Sequence, residues 1–375
     1  MGWHSASVRT TRSILGGIGR IPGIFRFVFR LVQEIGGLRV VLLKIFQLIA
    51  KQGFRGAILK TRYILFHAGL NAGRNEKQMI YHYWIDKYEN NSADKIESRS
   101  SAVDGFRVKP LISIIMPTYN AKLSWLKAAI ESVRKQIYTN WELCIADDAS
   151  TDKACIALLK KYKALDDRIK VVFRSGNEHI SKASNSALKI SKGEWIALMD
   201  HDDLLSKDAL FKVVERVNKH SDARLIYSDE DKIDRNGKRY DPYFKCDWNY
   251  HLFLSQNLIS HLGVYHAETL KKTVGFRQGY EGSQDYDLAL RFIERIKPEQ
   301  IIHIPKVLYH WRAHSESTAE NIKRKPYAQE AAKRAIAEHL QRQNIKAEVE
   351  ITSTSMYRIK YNLPLQLPLV SIIIP

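Results

Sequence analysis

The chain has 375 residues, 45% of them hydrophobic and 26% charged, with a formal net charge of +19. That apolar content excludes a disordered chain and supplies a core for one large or two ordinary domains. Three irregularly spaced cysteines (Cys144, Cys155, Cys246) exclude a disulfide framework and a zinc finger, and fit a reducing, intracellular compartment.

The positive charge is concentrated at the start of the chain. Residues 1–75 hold twelve Lys or Arg and a single acid, Glu34. In "GIFRFVFRLVQEIGG" and "LRVVLLKIFQLIAK" the apolar residues recur at helical spacing, with cations on the other face. Lys44 interrupts an apolar run of about thirteen residues, short of the roughly 20 that span a bilayer. The arm therefore reads as amphipathic helices lying on an anionic membrane surface, not as a nucleic-acid tail or a cleaved leader. Residues 76–109 read as an aromatic helix, "QMIYHYWIDKYE", and then a polar linker.

From residue 110 the pattern becomes regular. Short apolar runs at 112–116, 141–146, 169–173, 195–199 and 224–227 alternate with helix-like stretches at 122–136, 152–164, 181–191 and 206–219. This alternation predicts an α/β fold with a mostly parallel central sheet flanked by helices, over 110–345. "PLISIIMP" at 110–117 returns as "PLVSIIIP" at 368–375. Residues 346–375 are accordingly expected to be an interdomain connection and the first strand of a truncated second copy.

Ligands of open parallel sheets bind beyond the carboxyl ends of the strands. Three runs here end in polar clusters: Thr118, Tyr119 and Asn120 after the first, Asp147 and Asp148 after the second, and Asp200, Asp202 and Asp203 in "MDHDDLL" after the fourth. Carboxylates so crowded repel one another unless a divalent cation lies among them. Mg²⁺ or Mn²⁺ held by one or two carboxylates takes its other ligands from water and substrate phosphates. Neither GxxxxGK[ST] nor GxGxxG occurs, which excludes a P-loop and a dinucleotide fingerprint and points to a sugar nucleotide.

"SIIMPTYN", "IADDASTD", "NSALKISKGEWIALMDHDDLL", "YSDEDKID", "GSQDYDLALRFIE" and "VLYHWRAHSEST" follow in order. This set resembles glycosyltransferase family 2 enzymes of GT-A fold, of the bacterial O-antigen or polysaccharide type, over roughly residues 110 to 320. The resemblance implies a metal-dependent inverting transfer from a nucleotide-diphosphate sugar to a glycan or lipid-linked acceptor, in the cytoplasm at the inner face of the membrane. It implies that Pro117, Thr118, Tyr119 and Asn120 form the base pocket and that Asp148 binds the pyrimidine ring, with Asp147 either in the pocket or supporting its loop. It gives Asp200 and Asp202 to ribose and diphosphate, and Asp202, Asp203 and His310 to Mn²⁺ or Mg²⁺. Asp285 stands where the general base is expected, although a helix N-cap would also use it. Gln284 replaces a family Glu, and Ser184 an Arg, leaving Lys182 as the cation near the diphosphate. Asp247 and Trp248 are assigned to the acceptor sugar, with core packing the alternative for Trp248. "SDEDK" (228–232) is placed on the acceptor side, with a hydrogen bond to sugar as its functional reading and a solvated turn as the default. The two departures keep a second function open: a catalytically inert sugar-nucleotide- or glycan-binding domain of a larger tandem enzyme.

Overall fold

The computed structural model describes residues 74–89, 93–313 and 326–374. The basic arm therefore lies outside the described residues. Among those described, no helix is long and apolar enough to cross a membrane. Helix α1 (Arg74–Tyr88) belongs to one compact unit, and a second compact unit starts at Glu89.

That unit begins with α2 (Ala93–Asp104) and continues β1 (Ile112–Thr118), α3 (Leu123–Arg134), β2 (Trp141–Asp147), α4 (Lys153–Leu165), β3 (Ile169–Phe173), α5 (His179–Ile190), β4 (Trp195–Leu198) and β5 (Leu204–Leu205). Then come α6 (Ala209–Lys219), β6 (Leu225–Ile233), β7 (Arg239–Tyr243), α7 (Tyr250–Ser255), β8 (Gly263–His266), α8 (Ala267–Lys271), α9 (Gln284–Ile293) and β9 (Ile301–Arg312). Helix α10 (Pro326–Arg342) and the hairpin β10 (Ala347–Ile351) and β11 (Tyr357–Tyr361) complete it.

The main sheet runs β3-β2-β1-β4-β8-β6-β9-β5, with β7 added on β6. Strands β3, β2, β1 and β4 are mutually parallel, as the alternation predicts. Successive residues of a strand face opposite sides. Ile112, Ile114 and Met116 accordingly pack under α3 and α6, while Ile115, with Cys144 and Ala146 of β2, packs under α5 and α9. Helix α3 buries Leu126, Ala129, Ile130 and Val133, one stripe of an amphipathic helix.

The structure departs from the sequence expectation in four places. The run at 224–227 does not neighbour β4: β8 lies between them, antiparallel to both. "SDEDK" is no solvated turn, because it lies inside the nine-residue strand β6 with Asp229, Glu230 and Asp231 buried. The polar "linker" contains α2, whose Arg99 pairs with Asp208 at 2.9 Å while Val103 and Phe106 pack on the core. Residues 347–361 are not a connection but a hairpin that buries Val349 and Tyr357 against the α9 side of the core. Beyond it, 368–374 forms no strand, and Leu369, Ile372 and Ile373 are exposed.

Helices α9 and α10 are clamped at Glu294, which accepts from His339 Nδ1 at 2.8 Å and Arg342 Nη2 at 2.7 Å. Burial alone would raise this carboxyl, but the bonds from His339 and Arg342 override it and hold it at about 2. Its stabilising contribution is therefore complete above the ordinary Glu value near 4.5 and is lost as pH falls towards 2. In urea titrations between pH 5 and 3, Glu294→Gln should remove a measurable part of the wild-type loss of stability.

Candidate active site

The carboxyl ends of β1 and β2 lie side by side, with Thr118 paired to Asp147. Asn120 and Ala149 take positive φ values of 43° and 60°, which turns both loops tightly. Asn120 is spent on this turn: its Oδ1 accepts from Thr151 N at 2.8 Å and Asp152 N at 3.1 Å, and its own N–H donates to Ser150 Oγ at 2.8 Å. Asp147 accepts from Ser150 Oγ at 2.5 Å and Ser150 N at 3.1 Å, the loop-supporting alternative of its two readings. Asp148 accepts from Arg174 Nη1 at 2.8 Å and Glu178 N at 3.1 Å, which fixes the carboxylate between β2 and the start of α5. The groups here with no such internal tie are Thr118 Oγ1, buried without a partner, and Tyr119, exposed beyond Pro117. Lys182 pairs with Glu178 one turn back on the exposed side of α5.

On the other side of β1, the chain leaves β4 through Asp200, His201 and Asp202 into the fully buried Asp203. Asp203 is held by β9: Tyr309 Oη donates to Oδ2 at 2.6 Å and Arg312 N to Oδ1 at 2.7 Å. The same Tyr309 Oη accepts from Asp200 N at 3.1 Å, so one hydroxyl sets both ends of the Asp-x-x-Asp turn. Burial first, then the charges of Asp202 and Asp200, push Asp203 well above the usual carboxylate range, against the bonds from Arg312 and Tyr309. A cation among these groups would reverse that shift.

His310, assigned to the metal from sequence, has no bond to Asp200 or Asp203 among the described interactions. Its Nδ1 bonds Asp231 Oδ1 at 2.6 Å. The histidine that does face the acids is His261, which the sequence reading missed. One ligand atom each of Asp200, Asp203 and His261 lies within 4.8 Å of the other two. Asp202 is not in that triplet, although its charge acts on both Asp203 and His261. The His261 ring stacks on Tyr309 with centroids 4.4 Å apart and planes at 12°. Burial holds its pKa below the ordinary histidine value, leaving a neutral imidazole. Its Nδ1 has no hydrogen-bond partner, a vacancy that costs about 1–3 kcal/mol in a buried group. Acids and neutral imidazole together are a donor set that fits Mn²⁺ and, less well, Mg²⁺.

Asp285 stands in the first turn of α9 and accepts from Asn257 Nδ2 at 2.8 Å. Burial raises its pKa, His261 lowers it and Asp200 raises it further, so its charge acts on the same cluster. Asp285, Asp200, Asp202 and Asp203 are thus brought together. Gln284 only folds back on Gly282 N at 2.7 Å. Trp248 takes the packing alternative, its ring 5.0 Å from Phe253 in the core. Asp247 is exposed and bonds His303 Nδ1 at 3.0 Å. Neither of that pair has a contact with the acid cluster among the described interactions.

Residues 113–274 match the family described as Glycosyl transferase family 2. Over 267 residues the chain is 51% identical to an uncharacterized protein, y4gI, of Sinorhizobium fredii, covering 71% of this chain and 29% of that one. Over 282 residues it is 34% identical to the O-antigen biosynthesis protein RfbC of Myxococcus xanthus, covering 75% and 22%. The chain thus spans less than a third of either relative. Among solved structures, S. aureus TarS 1-349 in complex with UDP-GlcNAc superposes with a TM-score of 0.50 at 22% identity, over 61% of this chain and 66% of that one. That likeness is one of fold.

Proposed function

The chain belongs to glycosyl transferase family 2 through its residues 113–274, and we propose that it moves a sugar, with inversion, from a nucleotide-diphosphate donor to a glycan or lipid-linked acceptor. The observation that carries this is the convergence of Asp200, Asp203 and His261 within 4.8 Å, electrostatically linked to Asp285. Thr118, Tyr119 and Asp148 would line the nucleoside side of the cleft. Asp200 and Asp203, with Asp202 beside them, would hold a divalent cation, whose charge neutralises the departing diphosphate. Asp285 would accept the proton of the acceptor hydroxyl on the opposite face of the sugar as the new glycosidic bond forms. The relation to an O-antigen biosynthesis protein supports a polysaccharide acceptor, and the basic amphipathic residues 1–75 support work at an anionic membrane surface.

The test uses the full chain with a panel of UDP- and dTDP-sugars. Nucleoside diphosphate release should be stimulated by Mn²⁺, fall at least about a hundredfold on chelation, and return when Mn²⁺ is restored. Donor binding without metal-dependent release from any sugar nucleotide would favour the inert binding domain instead.

A further inference from the structure

We infer that His261 is itself a ligand of the divalent cation, so that the ion is held by Asp200, Asp203 and an imidazole, not by the aspartates alone. The inference rests on the proposed cation site. It goes beyond it by adding a nitrogen ligand from a loop outside the Asp-rich turn.

Three observations support it. The side chain of His261 is 10% exposed, and its Nε2 stands 3.7 Å from Asp200 Oδ2, too long for a hydrogen bond and of a length that an ion between them would fill. Its Nδ1 is buried with no partner, so hydrogen bonding does not explain the ring's place. The ring is nevertheless fixed. Tyr309 stacks on one side of it, and Trp311 meets it edge-on with centroids 5.8 Å apart. Its peptide is pinned at both ends, where Glu230 Oε2 accepts from His261 N at 3.0 Å and Lys245 Nζ donates to His261 O at 2.7 Å. A buried, preset imidazole aimed at two carboxylates is what a site selecting a borderline metal requires. Nitrogen ligands favour Mn²⁺ over Mg²⁺, which prefers oxygen throughout.

The probe is Mn²⁺ alone, added to the full chain and read by electron spin echo, which detects ¹⁴N bonded to the ion, and by direct titration. Wild type should show the modulation of one coordinated imidazole. His261→Gln should lose that modulation and about tenfold or more of the Mn²⁺ affinity, with Mg²⁺ affinity changed far less. His310→Gln should keep both signals, and circular dichroism checks that each variant is folded. If wild type binds Mn²⁺ without ¹⁴N modulation while Asp200→Asn abolishes binding, the cation site stands and the role of His261 is overturned. If Asp200→Asn binds Mn²⁺ as wild type does, the cation site falls and the inference falls with it.

Discussion

Asp285→Asn is expected to reduce sugar transfer by about 10²–10⁴-fold, the usual contribution of a positioned general base, while leaving donor KM within a few-fold of wild type. The alternative role, a helix cap, predicts the reverse: lost stability with activity following it down. The geometry separates the two. The N-cap of α9 is Ser283, whose side chain makes no capping bond, and Asp285 lies two positions inside the helix. Its carboxylate is engaged by Asn257, from the loop between α7 and β8, and an amide can still accept that bond. A carboxylate in a first helical turn contributes only about 0.3–1 kcal/mol through the helix dipole. Against that stands the cost of its company, since burial and Asp200 both push its pKa upward. Removing the charge relieves that crowding, so the melting temperature of Asp285→Asn should equal or exceed that of wild type. A variant that folds and still transfers within tenfold of wild type would remove Asp285 from the chemistry.

What the sequence made legible follows from one regularity. Runs such as "IIMP" and "WIALM" are apolar because their strands are covered on both faces, and they end in polar residues where the sheet ends. Reading those ends in order singled out Asp148, Asp200 and Asp203 without coordinates, whereas Asp285, in the first turn of a helix, came only from the family resemblance. His261 escaped the same reading for a structural reason. It precedes a strand, and the amino end of a strand in a parallel sheet lies far from the ligand edge. Strand β8 is antiparallel to β4, pairing Ala197 with Val264, so its amino end, with His261, comes beside the carboxyl end of β4. Nothing in "SHLGVYH" announces that reversal.

The acids of "SDEDK" misled for a related reason. Three carboxylates in five residues suggest solvent until their partners are known, and those partners are distant: His303 for Asp229, Lys245 for Glu230, Arg239 and His310 for Asp231. The Trp248 ring was equally ambiguous, because the sequence beside it does not disclose Phe253 as its neighbour.

The largest effect on stability is expected at Lys245. Its side chain is completely buried, and its ammonium donates to Glu230 Oε2 at 3.1 Å, Ile259 O at 2.8 Å and His261 O at 2.7 Å. Burial lowers its pKa and Glu230 opposes that shift, the balance of an ion pair that persists only because each member has the other. Lys245→Met keeps the volume of the stem but strands the Glu230 charge and two carbonyls. Breaking one side of such a pair costs about 3–5 kcal/mol, a fall in melting temperature on the order of 10 °C for a domain of this size. Removing both charges should cost much less than the two single losses together, because the Lys245→Met/Glu230→Gln protein leaves no uncompensated ion. Thermal unfolding of the four proteins closes the cycle, and additive losses would show that the two side chains act separately. Function should follow the same lines, since Lys245 and Glu230 grip opposite ends of the His261 peptide. Mn²⁺ affinity in Lys245→Met, measured below its melting transition, should drop although no proposed ligand has been touched. A fold stable to within 1 kcal/mol of wild type would mean that the loop carrying His261 is held by its stacking on Tyr309 and not by the buried pair.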